Sequence, residues 1–107
     1  LGVTFKENCP DYRNSKIIDL IAALNEYGLN VDLYDPVIDA KGFTVEHAIP
    51  IKNIGDLLPY YSCIVLAVPH DLILDEISSN FLCRLRPDSV LFDVKGALDK
   101  NIISGRL

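Results

Sequence analysis

Six consecutive apolar residues, Cys63-Ile64-Val65-Leu66-Ala67-Val68, stand between Ser62 and Pro69. The run is continuous, rich in β-branched side chains and without the alternation of a strand that has one wet face. It therefore reads as a strand buried on both faces, the kind found in parallel sheets covered by helices. Residues 89–94 form a second apolar run that empties into Lys95-Gly96, and residues 1–5 a third that ends at the polar stretch Lys6 to Arg13. In residues 30–35, Val31 and Leu33 alternate with Asp32 and Tyr34 until Asp35-Pro36 stops the ladder, because proline has no amide hydrogen to offer it.

Between the first two of these segments, Ile17, Ile18, Leu20, Ile21, Leu24 and Tyr27 recur with a helical period. Asn14 or Ser15 stands where a cap belongs, and Gly28 where a left-handed residue closes a helix. Residues 37–52 carry Gly42 and Pro50 and no steady period, so they read as an excursion with at most short extended pieces. Residues 54–60 suit one or two helical turns, and residues 71–82 a helix interrupted by Ser78-Ser79-Asn80. This alternation predicts an α/β fold of three layers, doubly wound around a mainly parallel, Rossmann-like sheet. Strands near residues 1–5, 30–35, 63–68 and 89–94 are expected to be mutually parallel.

At 107 residues the chain has room for one core, so residues 1–107 are expected to be a single domain. Fifteen acidic residues against ten basic give a formal charge of −5, which disfavours nucleic acid as a partner. No apolar run approaches the roughly 20 residues needed to cross a bilayer, so no membrane partner is expected. Leu1 already lies in a strand-like run, which suggests a domain cut from a longer protein. Cys9, Cys63 and Cys83 are odd in number and lack Cys-x-x-Cys spacing. Reduced thiols in a cytoplasmic protein are expected, with neither a disulfide framework nor a metal site.

In open α/β sheets ligands collect beyond the carboxyl ends of the strands. Lys6 and Arg13 follow the first predicted strand, Asp35 the second, His70 and Asp71 the third, and Lys95 the last. A dinucleotide domain places Gly-x-Gly-x-x-Gly after its first strand so that backbone amides reach a pyrophosphate. Here Gly2 lies inside the strand, and Lys6, Cys9, Pro10 and Arg13 occupy the loop. Phosphates would be met there by side-chain cations. The plainer reading is that Lys6 and Arg13 pair with Glu7 and Asp11 on a solvated loop. Asp35 reads chiefly as a turn former before proline, and His70 as a structural residue at a helix start.

Phe5-Lys6, then Asp11-Tyr12-Arg13 and Ser15, resemble the opening of the C-terminal domain of nucleotide-sugar 6-dehydrogenases, a family that includes UDP-glucose, GDP-mannose and UDP-N-acetylhexosamine dehydrogenases. Tyr34-Asp35-Pro36 and Phe92-Asp93-Val94-Lys95 resemble its later motifs in the same order. The variant Lys6-Glu7-Asn8-Cys9-Pro10-Asp11 and the segment Ala67 to Asp71 look more like the branch acting on UDP-N-acetylglucosamine or UDP-N-acetylgalactosamine in bacterial surface-polysaccharide synthesis.

The resemblance implies an NAD-dependent enzyme that oxidises the sugar C6 alcohol to a carboxylate. Its N-terminal domain binds NAD, a long central helix makes a homodimer, and this C-terminal domain closes over the UDP-sugar. It also implies roles for four residues. Phe5, Lys6 and Lys95 match substrate-binding positions, and Arg13 matches an arginine that reaches NAD across the domain cleft. Lys95 stands where the family often has arginine and so lacks the bidentate fork. The family's catalytic cysteine lies in a glycine-flanked motif outside these residues, so Cys9, Cys63 and Cys83 are not catalytic. The alternatives are a non-catalytic docking domain and a receiver-like regulatory domain. The latter is opposed by Phe5-Lys6 standing where adjacent acids belong.

Overall fold

The computed structural model describes residues 1–13 and 15–106. Helix α1 spans Ile17–Glu26, α2 Ala40–His47 and α3 Asp71–Glu76; strand β1 spans Tyr61–Leu66, β2 Leu85–Asp93 and β3 Gly105–Arg106. The sheet order is β1-β2-β3, with both pairings parallel. Ile64 faces Leu91 and Leu66 faces Asp93 across the first pair. The register slips between Tyr61 and Cys63. At this slip Ser89 Oγ donates to the Tyr61 carbonyl at 2.8 Å and accepts from the Arg86 amide at 2.9 Å. The parallel strands expected near 63–68 and 89–94 are therefore present, and β3 extends the sheet where none was foreseen.

The first predicted strand takes a different form. The Leu1 amine donates to the Val65 carbonyl at 2.7 Å, and the Leu1 carbonyl accepts from the Ala67 amide at 2.9 Å. These bonds straddle Leu66 as a parallel ladder does. On the other side the Gly2 amide donates to Tyr34 O at 2.9 Å. Residues 1–3 thus hold a strand position without forming a regular strand, and residues 4–6 bend away. Gly2 causes the departure: its φ is +84°, and a Cβ there would lie 2.5 Å from the Val68 carbonyl oxygen. Residues 30–35 likewise contribute a single bridge, Leu33 parallel to Ile51, rather than a strand.

Helix α1 follows its sequence signals. Ser15 Oγ accepts from the Ile17 amide at 3.2 Å, while Asn14 lies outside the described residues. At the other end Gly28 N–H bonds Asn25 O and Leu29 N–H bonds Leu24 O, a Schellman closure around Gly28 at φ +80°. Helix α2 corrects the reading of residues 37–52 as an excursion. Its amphipathic stripe reduces to Phe43, fully buried against Tyr12 in an edge-on ring contact at 5.1 Å. The interruption at Ser78-Ser79-Asn80 is real but does not end the winding: a π-helical turn, Ile77–Phe81, succeeds α3 and buries both Ile77 and Phe81. The expected turns within 54–60 reduce to one 3₁₀ turn, Ile54–Asp56.

The core has two parts. Ile64, Leu66 and Leu91 of the sheet pack with Ile73, Ile77 and Phe81. Val3 and Leu33 pack with Ile21 of α1 and Phe43 of α2. The helices are thus shared between two apolar clusters, as in an α/β Rossmann-like domain. Among the described residues no helix is long and apolar enough to cross a membrane.

In the 107-residue chain taken by itself, the partly buried Leu1 amine that bonds the Val65 carbonyl generates a pH dependence. Desolvation lowers its pKa from 8.0 to about 6, against a smaller opposing attraction from Asp35. Between those values the unfolded amine holds a proton that the folded amine has lost, so stability rises with pH. For a chain beginning at Leu1, urea melts should show full stability above about pH 8 and a loss of roughly 2–3 kcal/mol on descending to about pH 6. Nα-acetylation should flatten that window.

Candidate ligand site at the carboxyl rim of the sheet

Beyond β1 the chain runs through Ala67, Val68 and Pro69 into His70, which starts α3 with its side chain wholly buried. The Asn8 amide donates to His70 Nδ1 at 2.8 Å. That bond places the ring proton on Nε2, which donates to Asp35 Oδ2 at 3.0 Å. Thr4 Oγ1 lies 3.2 Å from the same nitrogen and donates its own hydrogen to the Lys6 carbonyl at 2.8 Å. Asp35 Oδ2 also accepts from the Val3 amide at 2.8 Å, while Oδ1 accepts from the Val37 amide at 2.9 Å across Pro36. Asp35 is therefore the turn former expected from sequence, and also the acceptor that joins the first segment to His70.

Residues 4–11 form a closed loop above this centre. The Phe5 amide donates to the Asp11 carbonyl at 3.1 Å, and Asn8 sits in the left-handed region at φ 59°. Asn8 Oδ1 accepts from the Asp71 amide at 2.8 Å, so one residue holds the loop to both His70 and the first turn of α3. Sequence reasoning passed over Thr4 and Asn8. The one local signal was that asparagine tolerates positive φ better than most residues.

The loop and the end of β2 meet through Lys95, whose Nζ lies 2.8 Å from Glu7 Oε1. Both side chains are a little under two-fifths exposed, and hydrogen bonding to Lys95 lowers the Glu7 pKa. Phe5 is 62% exposed, and Lys6 is exposed with no ion-pair partner among the described residues. The structure thus brings Lys95 to the loop that carries Phe5 and Lys6. Arg13 is engaged differently: its Nε and Nη2 bond Asp11 Oδ1 and Oδ2, both at 3.0 Å, on an exposed surface. The Arg13–Asp11 half of the solvated-loop reading is present, whereas Glu7 pairs with Lys95 rather than Lys6.

Among the described residues the rim offers one amine without an ion-pair partner, a second held by a partly exposed carboxylate, and an exposed ring, an arrangement suited to an anionic ligand with a flat or apolar part. It lacks the glycine cradle of a resident dinucleotide. The space after the first strand position is filled by Thr4, Asn8 and His70, so these residues alone do not fit NAD. Among the described residues no cluster of three His, Cys, Asp or Glu could hold a metal. Cys63, expected as a buried thiol, is exposed, as is Cys83; Cys9 is half-buried.

Residues 1–100 match the UDP-glucose/GDP-mannose dehydrogenase family, UDP binding domain, and the chain belongs to that family. It is 36% identical to the UDP-N-acetyl-D-glucosamine 6-dehydrogenase of Pseudomonas aeruginosa over 102 residues, which cover 94% of this chain and 24% of that enzyme. The corresponding enzyme of Salmonella typhi is 37% identical over 92% of this chain and 23% of its own length. Protein CapL of Staphylococcus aureus is 36% identical over 94% of this chain and 23% of its length. The chain thus spans about a quarter of the length of these relatives.

The buried centre makes a sharp prediction, because both Asp35 oxygens accept from backbone amides. An asparagine has one acceptor oxygen, so its NH₂ would face either the Val37 amide or the Val3 amide and His70 Nε2–H. Asp35→Asn should therefore cost about 1–3 kcal/mol in urea unfolding, close to Asp35→Ala. A variant within about 0.5 kcal/mol of wild type would remove Asp35 from this role.

Proposed function

We propose that these residues are the C-terminal, sugar-nucleotide-binding part of a longer cytoplasmic enzyme, an NAD-dependent 6-dehydrogenase of a UDP-N-acetylhexosamine. The family match over residues 1–100 carries this reading, and the names of the relatives support the branch. The surface-polysaccharide role rests on the likeness of residues 6–11 and 67–71 to that branch. In this reading the nucleotide's phosphates lie at the carboxyl rim. Lys6 meets them directly, Lys95 meets them after exchanging Glu7, and Phe5 lies beside the uridine or sugar. NAD, when bound, takes hydride and is held mainly by another part of the enzyme. Arg13 leaves Asp11 and reaches it across the cleft, and the whole enzyme works as a homodimer.

Two measurements test the assignment. The 107-residue chain mixed with NAD and UDP-sugars should produce no NADH absorbance, because the thiol nucleophile and nicotinamide site lie elsewhere. In the intact enzyme, Lys6→Ala and Lys95→Ala should lower kcat/KM for UDP-sugar, and Arg13→Ala should lower it for NAD. Each loss should be on the order of 10- to 150-fold, the worth of a hydrogen bond to a charged group at about 1.5–3 kcal/mol. Small and equal effects on both substrates would return the three cations to the class of exposed ion pairs, worth about 0–1 kcal/mol.

A further inference from the structure

Residues 5–7 stand on the rim between two anchors, and one imidazole reaches both. On one side the Lys6 carbonyl accepts from Thr4 Oγ1 at 2.8 Å, and Thr4 Oγ1 lies 3.2 Å from His70 Nε2. On the other the Asn8 amide donates to His70 Nδ1 at 2.8 Å. His70 and Thr4 are buried, whereas Phe5 and Lys6 between the anchors are exposed and Glu7 is half-buried. The side chains of the turn thus meet solvent, while the backbone that carries them is held by a buried ring.

The two ring nitrogens make different demands. Nδ1 must be bare to accept the Asn8 amide, so the proton sits on Nε2 and is donated to the Asp35 carboxylate at 3.0 Å. Thr4 gives its own hydrogen to Lys6, so its oxygen accepts a share of the same Nε2–H. The Nε2 contact ties His70 to the buried carboxylate, and the Nδ1 contact ties it to the loop. Neither contact caps α3. His70 stands at the cap position, but among the described residues its ring bonds no amide of that helix, and Asn8 Oδ1 takes the Asp71 amide instead.

We propose that His70 is a positioning residue of the ligand rim: directly at Asn8 and through Thr4 it fixes the turn from Phe5 to Asn8, and so holds Lys6 and Glu7 where an anionic nucleotide is met. The proposal rests on the reading of this rim as a sugar-nucleotide site. His70 itself meets no ligand and acts through the backbone of residues 6 and 8. Without an acceptor at Nδ1 the Asn8 amide loses its partner and the turn opens. Lys6 must then be ordered again each time a ligand binds, which raises KM for UDP-sugar and leaves kcat within about 2-fold. Loss of the Nε2 donor instead loosens the buried centre, with the Asn8 anchor still in place.

Asparagine and glutamine at position 70 separate the two contacts. An asparagine carries its amide at the depth of Nδ1, and a glutamine at the depth of Nε2. His70→Asn therefore keeps an acceptor for the Asn8 amide, and His70→Gln keeps a donor for Asp35. In the intact protein His70→Gln should unfold at the higher urea concentration of the two, yet bind UDP at least ~5-fold more weakly than His70→Asn in calorimetric titration. Hydrogen exchange across residues 5–9 should be faster than in wild type for His70→Gln alone. A purely structural His70 makes affinity follow stability, and that outcome, or equal affinities, would overturn the proposal. Thr4→Val, which removes the hydrogen bond to the Lys6 carbonyl, should also weaken UDP binding by ~5-fold. Unchanged affinity in that variant overturns the proposal even where the His70 variants do not fold. The exchange measurement keeps the two readings apart: protection lost in His70→Gln alone, in a protein whose wild type does not bind UDP, leaves His70 as the anchor of the turn and removes the nucleotide.

Discussion

The buried Asp35 carboxylate organises the molecule. It accepts from the amides of Val3 and Val37 and from His70 Nε2, and His70 in turn accepts from the Asn8 amide. A carboxylate buried without partners would be very costly, so these donors are a condition of the fold rather than an addition to it. Four stretches of chain meet there: the first residues, the turn at Pro36, the loop around Asn8 and the start of α3. The rim loop is consequently positioned from below, by buried hydrogen bonds, and not by the ion pairs on its surface. Those exposed pairs contribute little to stability, which leaves them free to exchange partners without loosening the loop.

What sequence made legible follows the range of each interaction. Helix α1 was readable because its period and its closure at Gly28 are local, although of the stripe only Ile21 is buried and Tyr27 is 85% exposed, and Lys16 rather than Asn14 or Ser15 takes the cap position. The runs that became β1 and β2 were readable from their apolar composition, but the expected burial on both faces is not found: Ile64 and Leu66 of β1 are buried while Cys63 is exposed and Val65 half-buried. Helix α2 was not: one buried ring, Phe43, holds it, and a single anchor leaves no period to detect. Residues 1–5 and 30–35 were placed correctly in the sheet but did not become strands, since a left-handed Gly2 pressed against Val68 turns the first one early. Placing ligands beyond the carboxyl ends of strands singled out Lys6, Arg13, Asp35, His70 and Lys95 in advance. The contacts among them were hidden wherever they link distant positions. Asp11 and Arg13, two apart, could be paired on paper, whereas Asp35 with His70 and Glu7 with Lys95 required the fold.

The Glu7–Lys95 pair sets what the rim can discriminate. A carboxylate oxygen at 2.8 Å takes one of the three donors of the Lys95 ammonium, so an anion that displaces Glu7 gains only the difference between the two bonds, while one that binds beside it adds to the pair. In the proposed site a singly charged carboxylate merely replaces Glu7, while a diphosphate, carrying more charge over several oxygens, would offer acceptors to Lys6 as well. Glu7, partly exposed, returns to water at little cost. In the proposed site this exchange would favour polyanions over metabolites with one carboxylate, a preference that a net charge of −5 does not suggest. Because the exchanging groups are half in solvent, salt screens both states, and the preference rests mainly on the number of oxygens presented at once. A buried, hydrogen-bonded centre beneath exchangeable surface charges would let the proposed site take up phosphates without rearranging the core, which suits a part that binds while the reacting groups are supplied from elsewhere in the proposed enzyme.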